Sequence, residues 1–334
     1  MKKKLIATVM IVLGLVTTIG CSTKENNNET GKLRVGVTIS PLKEFAEIIG
    51  GDKVEVFSII PQNSDPHSFE PKPKDLASLN NSDIFVYNGL KMESWIDPIL
   101  KQIENKDVEI VNSSNGVDII ELSQDEHAGE TAEEHAKHEE EEHAKHEEEE
   151  HANETAEEHA GHDHGTQDPH IWLSLKQATK QAENIKNSLV LKDEANKDYY
   201  EENFQKLKKD FNDTYEEYAE KFKNISNKNF VTGHAAFAYL CRDFGLTQNS
   251  LIGIYGGEGE IPPGDFKEIL DYCKENNIKT IFSESAASSS QSEALARDAG
   301  AKVEKIYSLE TKADKMSYLE GTRYNYEKIY EALK

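Results

Sequence analysis

The chain has 334 residues, of which 37% are hydrophobic, and a net charge of −24 at pH 7. This length is sufficient for two domains of ordinary size. Residues 125–164 hold 17 acidic side chains and two lysines, so they carry −15 of the charge and the remainder is only moderately acidic. Because binding to a phosphate backbone requires a basic patch, the charge excludes nucleic acid as a partner.

The N-terminus has the order of residues that is typical of an export signal. Three lysines precede the apolar run 5–19, which is too short for a membrane span, and Gly20 then precedes Cys21. This order resembles a bacterial lipobox and implies a signal peptide over 1–20, with Cys21 as the lipidated first residue of the mature protein. A plain signal peptide that is cut elsewhere is the alternative. The polar residues 21–31 favour the anchored form, since they are typical of a flexible tether.

From Leu33 onward, apolar runs with the period of a strand alternate with helical segments. This alternation predicts a mostly parallel sheet flanked by helices, and hence an N-terminal α/β lobe over 32–192. The predicted strands are 33–39, 54–60, 83–88 and 108–112, and the predicted helices are 40–50, 75–80, 93–105 and 175–190.

Residues 125–164 interrupt the first lobe with a tract of histidine and glutamate that contains HAKHEEEE twice in tandem. Its composition cannot bury a core, so we expect a disordered insertion. Two hypotheses for it stay open. It is either a solvated loop without function, or an accessory loop whose imidazoles bind zinc weakly and several at a time. Nine of the twelve histidines lie in this insertion: His127, His135, His138, His143, His146, His151, His159, His162 and His164.

A long helix is predicted over 193–224, with aromatic residues at spacings of three and four in a single stripe. A helix of this length can brace two lobes, and a second α/β lobe is predicted over 225–334. The predicted strands of this lobe are 229–232, 251–254, 280–283 and 302–306, and its predicted helices are 234–244, 263–276 and one that begins with the capping box of Ser290 and Glu293.

Two further cysteines, Cys241 and Cys273, lie on predicted helices. Export permits a disulfide between them but does not require one. Two buried free thiols are the favoured state, and a disulfide is the alternative.

Only three histidines lie outside the insertion: His67, His170 and His234. Each is predicted just beyond a strand or at the start of a helix, on the edge where α/β sheets bind ligands. Zinc favours imidazole, thiolate and carboxylate donors, so three imidazoles indicate zinc. Their spacing matches neither a zinc finger nor H-E-x-x-H, so the site has to be assembled across the fold. Glu284 follows the strand 280–283 at an equivalent position, although a helix-entry acid is the alternative for it.

Four segments contain these residues: DPHSFEP (65–71), DPHIWLSL (168–175), GHAAFAYL (233–240) and FSES (282–285). They resemble the metal-contacting segments of the zinc-uptake substrate-binding lipoproteins of ABC transporters, the cluster A-I or cluster 9 solute-binding family. The resemblance implies two α/β lobes joined by a long rigid helix, with Zn²⁺ in the cleft. It makes His67 and His170 ligands from the first lobe and His234 a ligand from the second. Glu284 matches the fourth, carboxylate position, where family members vary and a water can substitute.

The resemblance implies an extracytoplasmic receptor, and not an enzyme, that delivers Zn²⁺ to the permease and ATPase of an ABC uptake system. It implies a monomer held on the outer face of the bacterial cell membrane by the lipidated cysteine. A manganese-binding or adhesin-type member of the family is the first alternative. Manganese-binding relatives usually carry a carboxylate where His234 stands, so the third imidazole favours zinc. The second alternative is a zinc hydrolase with Glu284 as the general base.

Overall fold

The computed structural model describes residues 31–62, 64–122, 166–254, 261–284 and 286–334, without the side chains of residues 286–289. The predicted signal peptide, Cys21, most of the predicted tether and all nine histidines of the insertion lie outside these residues. Within them, no helix is long and apolar enough to cross a membrane.

The first lobe is built on a four-stranded sheet in which all strand pairs are parallel. The strands are β1 (Leu33–Val37), β2 (Val54–Ser58), β3 (Ile84–Tyr87) and β4 (Glu109–Asn112), and the helices are α1 (Ser40–Gly50), α2 (Pro73–Asn80), α3 (Ile96–Gln102) and α4 (Leu175–Lys192). The strand order is β2-β1-β3-β4, which puts the most apolar strands, β1 and β3, in the middle. Because the strands are parallel, their carboxyl ends meet at one edge of the sheet.

A long helix, α5 (Lys197–Lys223), follows α4 and links the two lobes. Its 27 residues span about 40 Å at 1.5 Å per residue. One continuous apolar core reaches from Phe45 of the first lobe to Phe230 of the second, and α5 packs into it. The buried residues of α5 recur every three or four positions: Tyr200, Phe204, Leu207, Phe211, Thr214, Tyr218 and Phe222.

The second lobe repeats the architecture of the first. Its strands are β5 (Asn229–His234), β6 (Thr247–Ile252), β7 (Thr280–Ser283) and β8 (Lys302–Lys305), and its helices are α6 (Ala238–Phe244), α7 (Pro263–Glu275), α8 (Ala286–Ala299) and α9 (Tyr318–Leu333). All three strand pairs are parallel, and the strand order is β6-β5-β7-β8. The predicted fold class, two parallel-sheet α/β lobes joined by a long helix, is confirmed.

Three helices of the second lobe differ from the prediction. The predicted helix starts at His234, but α6 starts at Ala238, because His234 pairs with Ile252 and the Ala235 N–H donates to the Ile252 carbonyl at 3.0 Å. The predicted capping residue Ser290 lies inside α8 and is exposed there. Helix α9 was not predicted, although its start carries a capping box that is readable in the sequence.

The two free cysteines are confirmed as buried thiols. Cys241 on α6 belongs to the core that both lobes share, whereas Cys273 on α7 belongs to a separate apolar cluster of the second lobe. Burial raises the pKa of Cys273 to about 11, so this thiol stays protonated at neutral pH.

The insertion leaves the first lobe from a short two-stranded neck, residues 120–122 and 166–168. Glu121 and Gln167 form an antiparallel bridge, and the Asp168 N–H donates to the Ile120 carbonyl at 3.0 Å. The neck therefore ends only two residues before His170.

Candidate metal centre

His67 lies in the loop between β2 and α2. The carboxylate of Asp65 accepts the backbone N–H of His67 at 3.0 Å and the hydroxyl of Ser68 at 2.7 Å. Such an Asx turn holds a short loop in one conformation. The loop therefore presents the His67 ring at the carboxyl end of the first sheet.

His170 lies between the neck of the insertion and α4, and its side chain is fully buried. Oδ1 of Asp168 accepts the backbone N–H of His170 at 2.8 Å and lies 2.8 Å from its Nδ1. Because an ionised carboxylate only accepts, Nδ1 carries a proton and Nε2 is the nitrogen left for a metal. The Asp168 carbonyl accepts the hydroxyl of Tyr239 on α6 at 2.7 Å, so the second lobe also holds this segment.

His234 is the last residue of β5. Its Nε2 donates to the carbonyl of Ile254, 3.0 Å away, so Nδ1 is the nitrogen that remains for a metal. The backbone of His234 is fixed by the pairing of β5 with β6. His234 therefore brings an imidazole from the second lobe to the same place as the two from the first.

The three predicted histidines meet in one cluster. The ring centroids of His67 and His170 are 5.3 Å apart, those of His67 and His234 are 5.7 Å apart, and those of His170 and His234 are 4.9 Å apart. One ring nitrogen of each lies within 4.8 Å of the others. This spacing suits a single metal ion, since tetrahedral zinc with Zn–N distances of about 2.0 Å keeps its donors a little over 3 Å apart.

A carboxylate that the sequence analysis missed lies beside this cluster. Oε1 of Glu310, in the segment between β8 and α9, lies 3.6 Å from Nε2 of His170 and 3.9 Å from Nε2 of His67. Both Glu310 Oε1 and His170 Nε2 are buried without a hydrogen-bond partner. Buried polar atoms normally have partners, so their concentration here fits a bound cation. Imidazole and carboxylate together are donors that zinc takes.

Glu284 follows β7 as predicted, but it lies against the backbone of His234, with its Oε1 3.4 Å from the His234 N–H. Among the described residues, no group of side chains close enough to share a metal includes Glu284. Burial raises the pKa of Glu284 to about 8. On the printed distances Glu310, and not Glu284, is the candidate carboxylate for the fourth position.

The four candidate ligands all have shifted pKa values. Burial lowers the pKa of His67 to about 4 and also lowers that of His234. Burial opposes the charged form of His170 as well, but Asp168 and Glu310 outweigh it and raise the pKa of His170 to about 9. The histidines likewise overcome burial at Glu310 and lower its pKa to about 2. The metal-free centre at neutral pH therefore holds one imidazolium between two carboxylates.

Residues 35–332 match the profile of the family described as ZnuA, zinc-uptake complex component A, periplasmic. The chain belongs to this family. One member, the high-affinity zinc uptake system protein ZnuA of Bacillus subtilis (strain 168), is 34% identical over 290 residues, which cover 86% of this chain and 82% of the relative. A manganese ABC transporter substrate-binding lipoprotein of Streptococcus anginosus, PsaA, is 27% identical over 345 residues and 99% of both chains.

Solved structures of the family share the fold. A crystal structure of ZnuA superimposes with a TM-score of 0.71 and 28% sequence identity, over 91% of this chain and 100% of the other. The family is thus one of metal-binding components of uptake systems. The two relatives are named for different metals, so the choice of metal in this chain has to rest on its own donor set.

Proposed function

We propose that this protein is the extracytoplasmic zinc-binding receptor of an ABC-type high-affinity zinc uptake system. It captures Zn²⁺ between its lobes and delivers the ion to a membrane permease that is powered by an ATPase. The observation that carries this proposal is the meeting of three imidazoles from both lobes, with the Glu310 carboxylate 3.6 and 3.9 Å from two of them. Membership of the zinc-uptake component A family supports it.

The proposed ligands are His67, His170, His234 and Glu310. Two of the imidazoles have one nitrogen occupied by a hydrogen bond, which leaves a defined nitrogen for the metal: Nε2 of His170 and Nδ1 of His234. Partners of this kind fix the orientation of a ligand ring and raise the affinity of the site. Glu310 adds a negative charge that offsets part of the charge of the ion.

Zinc is the proposed metal because the donors are three nitrogens and one oxygen. Zinc takes such donors in a tetrahedron, whereas manganese, magnesium and calcium favour sites rich in oxygen. The alternative is a manganese-binding member of the same family, as PsaA of Streptococcus anginosus is named. A comparison of the two metals on the same protein separates these readings.

The donor set also favours binding over catalysis. Four protein donors saturate a tetrahedral zinc, while a catalytic zinc keeps one position for water and a general base nearby. The hydrolase alternative gave Glu284 the role of the base. Burial raises the pKa of Glu284 to about 8, which disfavours at pH 7 the carboxylate form that a general base requires.

The proposal includes a lipidated Cys21, the tether over 21–31, a monomeric state, and a permease and ATPase as partners. The charged, apolar and small-residue order of residues 2–20 supports the lipid anchor. So does the relative PsaA, which is named as a lipoprotein of an ABC transporter.

The insertion over 125–164 is proposed to be an accessory zinc loop that raises the local supply of metal. Its nine imidazoles lie among carboxylates, and it is attached through a neck that ends two residues before His170. Both ends of the insertion are therefore attached beside the segment that carries His170. A loop without function is the competing hypothesis.

The test is a competitive zinc titration of the chain from Ser22 onward that lacks residues 125–164, with manganese as the comparison metal. We expect one tight zinc equivalent, weaker binding of manganese, and loss of the tight site in His234→Ala. As a matched control, His159→Ala in the chain that keeps the insertion should leave the tight site intact. Absence of tight zinc binding from the shortened chain would overturn the proposal.

A further inference from the structure

Glu310 belongs by sequence to the second lobe, but the loop that carries it is bonded to the first. We call residues 306–317, between β8 and α9, the Glu310 loop. The N–H of Ser40, the first residue of α1, donates to the Glu310 carbonyl at 2.9 Å. The indole N–H of Trp172 donates to the Ser308 carbonyl at 2.7 Å. These two bonds hold the chain on both sides of Leu309.

The far end of the Glu310 loop is attached to the first lobe as well. The hydroxyl of Tyr318, the first residue of α9, donates to the carbonyl of Trp172. The backbone N–H of Tyr318 lies 2.8 Å from each carboxylate oxygen of Glu44 on α1. The loop is therefore bonded to the first lobe at Ser308 and Glu310, and the start of α9 is bonded to it at Tyr318, while the Ile306 N–H donates to the Ser283 carbonyl of the second lobe at 3.0 Å.

Leu309, the residue before Glu310, adopts a backbone conformation that its neighbours have to impose. Its φ is +63°, in the left-handed region that a branched side chain rarely enters, and its side chain is buried at 4% exposure. Such a conformation persists only where the surroundings determine it. The two bonds from the first lobe flank this residue, so they fix the direction in which the Glu310 side chain leaves the backbone.

Trp172 is the residue that connects this loop to another ligand. It is fully buried, it lies two positions after His170, and its ring centroid is 5.3 Å from that of the His170 imidazole. The same side chain that packs on the imidazole donates to the Ser308 carbonyl. Its backbone carbonyl receives the Tyr318 hydroxyl.

We propose that Trp172 is a positioning residue for metal binding, which fastens the Glu310 loop to the first lobe so that Glu310 and His170 face the metal as one unit. This inference rests on the proposed function. His67 also lies in the first lobe, so three of the four proposed donors are attached to that lobe. His234 is the one donor that the second lobe supplies without being bonded to the first in this way.

The test is a double-mutant cycle of Trp172→Phe and Glu310→Gln. The zinc affinity of the full chain is measured in competition with a chelator that is strong enough to remove zinc from weak histidine sites. Outer partners of metal ligands typically contribute about 10- to 100-fold in affinity, and we expect Trp172→Phe to lower the affinity by that factor. In the Glu310→Gln background the carboxylate that Trp172 positions is already gone. The further loss from Trp172→Phe should then be about threefold or less. Equal losses in both backgrounds, or no loss in either, would overturn the inference.

A milder variant keeps the test decisive if Trp172→Phe does not fold. Tyr318→Phe removes only the hydroxyl that donates to the Trp172 carbonyl, and we expect it to weaken zinc binding measurably in the wild-type background alone. The matched control is Tyr218→Phe. It removes a hydroxyl on α5 that lies 3.3 Å from the Arg323 carbonyl on α9. Its zinc affinity should be unchanged, and equal affinities for the two tyrosine variants would contradict the inference.

The two possible failures are distinguishable. If the wild-type chain shows no tight zinc site, the proposed function itself is wrong. If the wild-type chain binds zinc tightly and Glu310→Gln weakens it, but neither Trp172→Phe nor Tyr318→Phe does, the receptor function stands and only the role of Trp172 falls.

Discussion

Replacing Glu310 by glutamine, and Glu284 by glutamine in parallel, tests which carboxylate binds the metal. Glu310 lies 3.6 and 3.9 Å from two imidazole nitrogens and is ionised, because the histidines lower its pKa to about 2. Glu284 lies 3.4 Å from a backbone N–H and is neutral at pH 7, because burial raises its pKa to about 8. Glutamine removes a charge from the first residue and almost none from the second.

The expected magnitudes differ accordingly. Removing one partner of a buried charge pair costs about 3–5 kcal/mol. The amide oxygen of glutamine and the lower desolvation cost of a neutral side chain recover part of this, so we take about 3 kcal/mol for Glu310→Gln. That is a loss of about 100-fold in zinc affinity. Glu284→Gln replaces one neutral group by another of the same shape, and a change of about threefold or less is expected.

The assay is competition for zinc between each variant and a fluorescent chelator at pH 7, with thermal unfolding of the metal-free forms as a check on folding. The two variants are matched, since each replaces a buried glutamate by its isosteric amide within the same centre. A tight site that survives Glu310→Gln but is lost in Glu284→Gln would refute the assignment of Glu310. It would make Glu284 the ligand, as the family resemblance of its segment implies.

Three further predictions concern the proton balance, the partner of His170 and the insertion. Since Asp168 and Glu310 raise the pKa of His170 to about 9 against the effect of burial, zinc binding at pH 7 should release about one proton. Calorimetry in buffers of different ionisation enthalpy measures the number of protons released. Zero release would contradict the assignment of His170 as a ligand. By the same raised pKa, His170 stabilises the metal-free fold below about pH 6.5, and this contribution is lost as the pH rises through about 9. Asp168→Asn should lower zinc affinity by about 10- to 100-fold, because an amide can donate to Nδ1 and no longer fixes the tautomer. The control Asp193→Asn, which removes an acceptor of the Tyr200 hydroxyl at 2.7 Å, should leave the affinity unchanged. Deleting 125–164 should lower the total zinc stoichiometry and leave one tight site, and an unchanged stoichiometry would make the insertion irrelevant to binding.

The three histidines could be predicted because their positions follow from local sequence. His67 follows β2, His234 ends β5, and His170 precedes α4 directly after the neck. In parallel sheets the carboxyl ends of the strands share an edge, so His67 and His234 each lie at the ligand-binding edge of their own sheet. The lobes could be predicted from the alternation of strands and helices and the long helix from its apolar stripe, whereas the joint ligand role of the three histidines was implied by the family resemblance.

Glu310 could not be predicted in the same way. It lies five residues beyond β8, in a loop whose path depends on bonds to Ser40 and Trp172 and on a left-handed Leu309. Nothing in the local sequence specifies those contacts, which are non-local in the chain. Glu284, directly after β7, satisfies the local rule better, and the resemblance of its segment to the family also indicated it. The one usable signal was the capping box of α9, since it shows that the residues before it form a connection between a strand end and a helix.

With the proposed ligands, the charges of the centre balance that of one divalent ion. In the metal-free state the buried charges are those of Asp168, Glu310 and the His170 imidazolium, which sum to one negative charge. Exchange of the proton for Zn²⁺ brings the sum to zero, because the two carboxylates then balance the ion. An ionised Glu284 would add a further negative charge that the single divalent ion does not balance. Burial raises the pKa of Glu284 to about 8, so its surroundings oppose that charge in the metal-free protein.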